Sequence, residues 1–160
     1  MKRILFGIAC IFWVATGAWA ADFPMRPAEL AEKYNKLVRA YGWSSPIALA
    51  RCTDGAGCTY SLDPSLSIGL TQSEQGNVNR GLVFYSAAGN PDDNAFLDAI
   101  AVLGLVLSDQ ESLYELPASM KKLFPPGDAL ARAEIVVGGL RLSRETLVAP
   151  NGFLVTITKP

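Results

Sequence analysis

The sequence predicts an α+β fold: an antiparallel sheet packed against an N-terminal helix and a buried central helix. Three observations carry this. One stretch has a clean 3.6-residue apolar period and a second is apolar over most of its girth. Two separate regions alternate apolar and polar residues with the period of a strand. The links between the alternating runs are short and rich in Gly, Pro and Asn. Strand runs separated by helices fit α+β better than an alternating βαβ chain.

The first helix is expected over Pro27 to Tyr41. Leu30, Tyr34, Leu37, Val38 and Tyr41 fall on one face. Proline is tolerated in the first turn, where its missing N–H has no partner to lose. Glu29–Lys33 and Glu32–Lys36 are i,i+4 pairs with the acid first, and Gly42 suits the position after the helix. Four strands follow as a meander. Ile47 to Cys52 and Cys58 to Leu62 flank a glycine-rich turn. Leu66, Ile68 and Leu70 alternate with Ser67, Gly69 and Thr71, and Gly81 to Ser86 follows a polar loop.

The central helix begins at Asn90-Pro91-Asp92-Asp93, with a capping asparagine, proline at N1 and two acids against the positive end of the dipole. Phe96, Ala99, Ile100, Leu103, Val106 and Leu107 form its main apolar face, widened by Val102 and Leu105. Ser108-Asp109-Gln110-Glu111 has the form of a capping box, and Pro117 to Phe124 reads as a short helix. In the tail, Ala133, Ile135 and Val137 alternate, Gly138-Gly139 suggests a bulge, and Leu140 and Leu142 continue the alternation. Pro150-Asn151-Gly152 reads as a turn, followed by a last strand through Phe153, Val155 and Ile157.

The first 20 residues carry the parts of a cleavable signal peptide. Lys2 and Arg3 are basic, Ile4 to Val14 is apolar apart from Gly7, and Ala18-Trp19-Ala20 is a small-x-small cleavage site. A spanning helix needs about 20 apolar residues, and this run is shorter. No membrane span is expected after cleavage. The expected destination is the periplasm or the exterior, with residues 21–160 forming one domain. Two of the 14 basic residues leave with the signal and none of the 15 acidic ones, so the mature chain is net acidic. Nucleic acid is therefore an unsuitable partner.

Cys10 also leaves, and Cys52 and Cys58 remain, which in an exported domain imply a disulfide. The five-residue spacer is too wide for a C-x-x-C redox site. The chain has no histidine, so Ser-His-Asp and Cys-His arrangements are excluded; no metal site and no cofactor are expected.

Ser119 and Lys122 form a Ser-x-x-Lys motif, in which a lysine amine one helical turn from a serine could activate it. Pro117 to Lys122 resembles the nucleophile box of β-lactamases and penicillin-binding proteins over six residues. The second motif of those enzymes is echoed only by Ser108-Asp109-Gln110, upstream instead of downstream, and Lys-Thr-Gly is absent. The alternative is a surface helix with solvated lysines. Asn90, Asp92, Asp93 and Asn94 read as helix capping and lack the spacing of a calcium loop. Gly55 and Gly57 lack the lysine of a phosphate loop and read as a tight turn.

Trp43, Tyr60 and Tyr85 are the candidate contact aromatics, with a core role as the alternative. The expectation is a noncatalytic exported binding domain for a protein partner or a small apolar ligand. An immunity or inhibitor protein against a toxin or hydrolase of the same compartment is the alternative. A small hydrolase using Ser119 and Lys122 is the second alternative.

Overall fold

The computed structural model describes residues 21–42, 45–47, 50–53, 55–86, 93–108, 115–124, 132–148 and 151–160. Residues 1–20, where a signal peptide is expected, and Asn90, Pro91 and Asp92, expected to cap a helix, lie outside them. The elements run α1 (Pro27–Tyr41), β1 (Ala50–Thr53), β2 (Gly57–Ser61), β3 (Leu66–Gln72), β4 (Val78–Ser86), α2 (Asp93–Ser108), α3 (Leu116–Leu123), β5 (Arg132–Val137), β6 (Leu140–Val148) and β7 (Asn151–Thr158). The strands form one antiparallel sheet in the order β1-β2-β3-β4-β7-β6-β5. The expected meander is β1 to β4. The last strand of the chain then pairs with β4, and β6 and β5 step outward to the far edge.

In α1, Pro27, Leu30, Tyr34 and Val38 are buried. The Arg26 N–H donates to the Glu29 carboxylate at 2.8 Å, which satisfies one of the donors a helix start leaves without a partner. Gly42 closes the helix at φ 67° and donates its N–H to the Val38 carbonyl. Tyr41, placed on the apolar stripe by its spacing, is 52% exposed.

Four boundaries differ from expectation for physical reasons. Ile47 is buried but stands before β1. Its N–H donates to Asn35 Oδ1 at 2.7 Å, and its carbonyl accepts from Asn35 Nδ2 at 2.8 Å, so its backbone is already bonded to α1. Strand β4 starts at Val78, three residues early, because Val78 exchanges hydrogen bonds with Phe23 and Met25. Gly138-Gly139 is a hairpin turn and not a bulge. Val137 pairs with Leu140, and both glycines have positive φ, 58° and 72°, as a two-residue primed turn requires. The tail therefore holds three strands instead of two. Asn151 and Gly152 belong to β7, paired with Val148 and Leu147.

All three helices cover one face of the sheet. That face presents Tyr60, Ile68, Val83, Val155, Leu142 and Val137, all buried. Helix α2 lies across its middle, with Ala99, Ile100, Val102 and Leu103 fully buried. It crosses β4 at Gly81, where a β-carbon would come within 2.8 Å of Leu107 Cδ1 and 3.2 Å of Leu103 Cδ2. A glycine at this strand position makes room for a close approach.

Candidate functional site

Strand periodicity assigns every second side chain to the face opposite the helices. The register places these residues in rows that cross the whole sheet. One row runs Arg51, Thr59, Gly69, Leu82, Thr156, Ser143 and Glu134; the next runs Ser61, Ser67, Phe84, Leu154, Glu145 and Arg132. Leu82, Phe84, Leu154 and Thr156 occupy the centre and are half-buried. Glu134, Glu145 and Arg132 at the β5 side are exposed, and Val136 beside them is 61% exposed. Arg141 Nε lies 3.5 Å from Glu134 Oε1 on the same face, both largely in water, where such a pair contributes little to stability. No described helix lies on this side. The result is a broad surface with an apolar patch at Leu82, Phe84 and Leu154, serine and threonine beside it, and charges around it: Arg51 on β1, Arg80 on β4, and the β5–β6 group.

The helix-covered side holds the second notable constellation. Arg144 is 1% exposed. It stands in β6 two residues beyond Leu142, so it points into the core like Leu140 and Leu142. Its guanidinium carbon lies 5.4 Å from the Phe124 ring centre and 5.5 Å from that of Phe153. Tyr85 stacks on Phe153 at 6.3 Å and meets Phe96 at 5.1 Å. Phe124 stands edge-on to both Phe96, at 5.6 Å, and Phe153, at 5.9 Å. The cluster joins α2, the end of α3, β4, β6 and β7. A planar cation between aromatic faces is attracted by the ring quadrupoles, and its stem fills apolar space. Sequence reading missed Arg144 because an arginine in a strand is read as pointing outward. The signal was its place in the alternation Leu140, Leu142, Arg144.

Tyr60 and Tyr85 are each 5% exposed, so both rings are core and neither offers a contact face. The Tyr60 hydroxyl donates to the Pro27 carbonyl at 3.3 Å, which fixes the start of α1 on β2. Burial raises the Tyr60 phenol above its ordinary pKa. Trp43 lies outside the described residues. Ser119 and Lys122 fall on α3, with Ser119 half-buried and Lys122 exposed.

Cys52 and Cys58 are joined as a disulfide between directly opposed positions of β1 and β2. Among the described residues, no three or more Cys, Asp or Glu side chains gather as metal ligands. No described helix is long and apolar enough to cross a membrane. Compared with known proteins, the chain matches no family model, no curated protein and no solved structure.

Proposed function

We propose that this chain is a noncatalytic exported binding domain that docks a protein partner on the helix-free face of its sheet. The observation that carries the reading is the arrangement of that face: Leu82, Phe84 and Leu154 form an apolar patch, with Arg51, Arg80, Arg132, Glu134, Arg141 and Glu145 around it. An apolar centre with a polar, charged periphery is the anatomy of a protein interface. Seven strands span about 29 Å at the usual strand spacing. Rows that reach across six or seven strands make this a broad face, where a standard interface takes ~800 Å² per partner. The open sheet suits a flat protein surface better than a small molecule, which is usually enclosed in a concave site. Export rests on the N-terminal pattern of a basic start, an apolar run and Ala18-Trp19-Ala20. The cross-strand disulfide suits an oxidising compartment.

The test is site-specific photo-crosslinking in the native envelope fraction. A crosslinker replaces Phe84 or Leu154 in turn, and Glu32 on α1 serves as the control. The expected result is one discrete protein adduct from both sheet positions and none from position 32, with Leu82→Glu reducing the adduct at least tenfold. Adducts of equal yield from α1, or no adduct from the sheet positions, overturn the proposal. An adduct formed solely with a second copy of the chain overturns the reading of a different partner.

A further inference from the structure

We propose that the Cys52–Cys58 disulfide is a reducible clasp that holds β1 as the edge of the sheet. A dithiol in the same compartment would then open that edge without unfolding the core. Three observations carry this. First, among the described residues β1 pairs only with β2, through four residue pairs from Ala50↔Tyr60 to Thr53↔Gly57. Second, Arg51, Cys52 and Thr53 are all exposed. Apolar burial therefore does little to hold these three residues, and their retention rests on a short ladder and the covalent link. Third, the bond is accessible from one side: Cys52 is exposed, whereas Cys58 is 8% exposed and packs in the core. Exposed disulfides are the more readily reduced class.

The reaction balances with a dithiol as the reductant. One thiolate of the dithiol attacks the Cys52 sulfur, forms a mixed disulfide and expels Cys58 as a thiolate, which takes up a proton. The second thiol of the dithiol, as thiolate, then attacks its own sulfur in the mixed disulfide and expels Cys52, which is protonated in turn. Two electrons and two protons pass from the dithiol to the two cysteines, and the dithiol leaves as a disulfide. The link closes a loop of only six residues in sequence separation, so its loss removes a local constraint and leaves the rest of the fold intact. Because Cys52 and Cys58 oppose each other in the ladder, the hairpin keeps the thiols close enough to re-form the bond. Opening β1 uncovers the outer backbone edge of β2, the kind of edge that accepts an extended segment.

The experiment is hydrogen exchange on the mature chain, oxidised and after treatment with excess dithiothreitol. A Cys52→Ser/Cys58→Ser double variant provides a reductant-free comparison. The expected result is exchange at least roughly tenfold faster in residues 50–53 on reduction, reproduced by the double variant. Exchange at Ile68 and Val83 stays unchanged. A bond that survives excess dithiothreitol in the folded protein overturns the proposal. So does unchanged exchange in residues 50–53 after reduction. A uniform rise across β1 to β4, or loss of the folded far-ultraviolet spectrum, overturns the claim that opening is local.

Discussion

Replacing Gly152 by alanine probes how tightly the two halves of the sheet are joined. Strand β7 lies between β4 and β6, and Gly152 pairs with Ser86 on one side and Leu147 on the other. A β-carbon at Gly152 would stand 2.0 Å from the Tyr85 carbonyl oxygen and 3.1 Å from Ser86 Cα. Carbon and oxygen settle at about 3.3 Å or more, so the strands must part by over an ångström. Neighbouring N–H···O bonds of about 2.9 Å would then stretch beyond hydrogen-bonding range. Two lost backbone bonds at about 1 kcal/mol each, with about 1–3 kcal/mol of overpacking strain, give a loss of roughly 3–5 kcal/mol. That is a large part of the roughly 5–15 kcal/mol that stabilises an ordinary domain. Gly76→Ala is the matched control. It has open space around the new carbon and only its positive φ of 79° to violate, which costs about 1–2 kcal/mol. Urea titrations followed by far-ultraviolet circular dichroism compare the two. A Gly152→Ala loss no larger than that of Gly76→Ala would refute the steric reasoning.

Leu103→Ala, at a fully buried position over Gly81, is expected to lose about 2–5 kcal/mol, measured by the same titration. Arg144→Lys keeps the charge but loses the planar group between Phe124 and Phe153. A loss of about 1–3 kcal/mol is expected, with a change in the near-ultraviolet signal of the aromatic cluster; an unaltered spectrum and midpoint would count against it. Tyr60 gives a pH prediction. Its folded pKa lies above the unfolded value of about 10, so between the two the folded state holds a proton the unfolded state has released. The stability associated with Tyr60 is therefore fully present below pH ~10 and is lost as pH rises through the folded pKa. Tyr60→Phe should be less stable at neutral pH by about 1 kcal/mol and should flatten the alkaline decline, read from unfolding midpoints between pH 8 and 11.

Local pattern sufficed where burial alone decides conformation. The alternation through Leu66, Ile68 and Leu70 and the apolar girth of α2 both name elements that the structure contains. Pattern failed where a distant group sets the outcome. Ile47 has the composition of a strand residue, but Asn35 on α1 bonds both its backbone groups. Gly138-Gly139 reads equally as a bulge or a turn until it is known that Val137 faces Leu140. Tyr60 and Tyr85 look like contact aromatics, and only the packing of α1 on β2 and of Phe96 and Phe153 on Tyr85 shows them to be core. The helix-free face was equally illegible. Leu82, Phe84 and Leu154 become neighbours of serine and threonine rows only through the β4–β7 pairing, which joins residues far apart in the chain.

That same pairing governs the order in which the molecule can assemble. Strands β1 to β4 are sequence neighbours and can zip as hairpins, as can β5 to β7. The two halves meet only when Gly81 finds Ile157 and Ser86 finds Gly152. Such non-local closure is slow relative to hairpin formation. Until it happens β4 presents a bare edge, with Leu82 and Phe84 on one face and Val83 and Tyr85 on the other. An emerging chain that lingers at this stage offers a template for pairing with other chains. The joining of β4 to β7 is therefore the step at which folding and aggregation compete most directly.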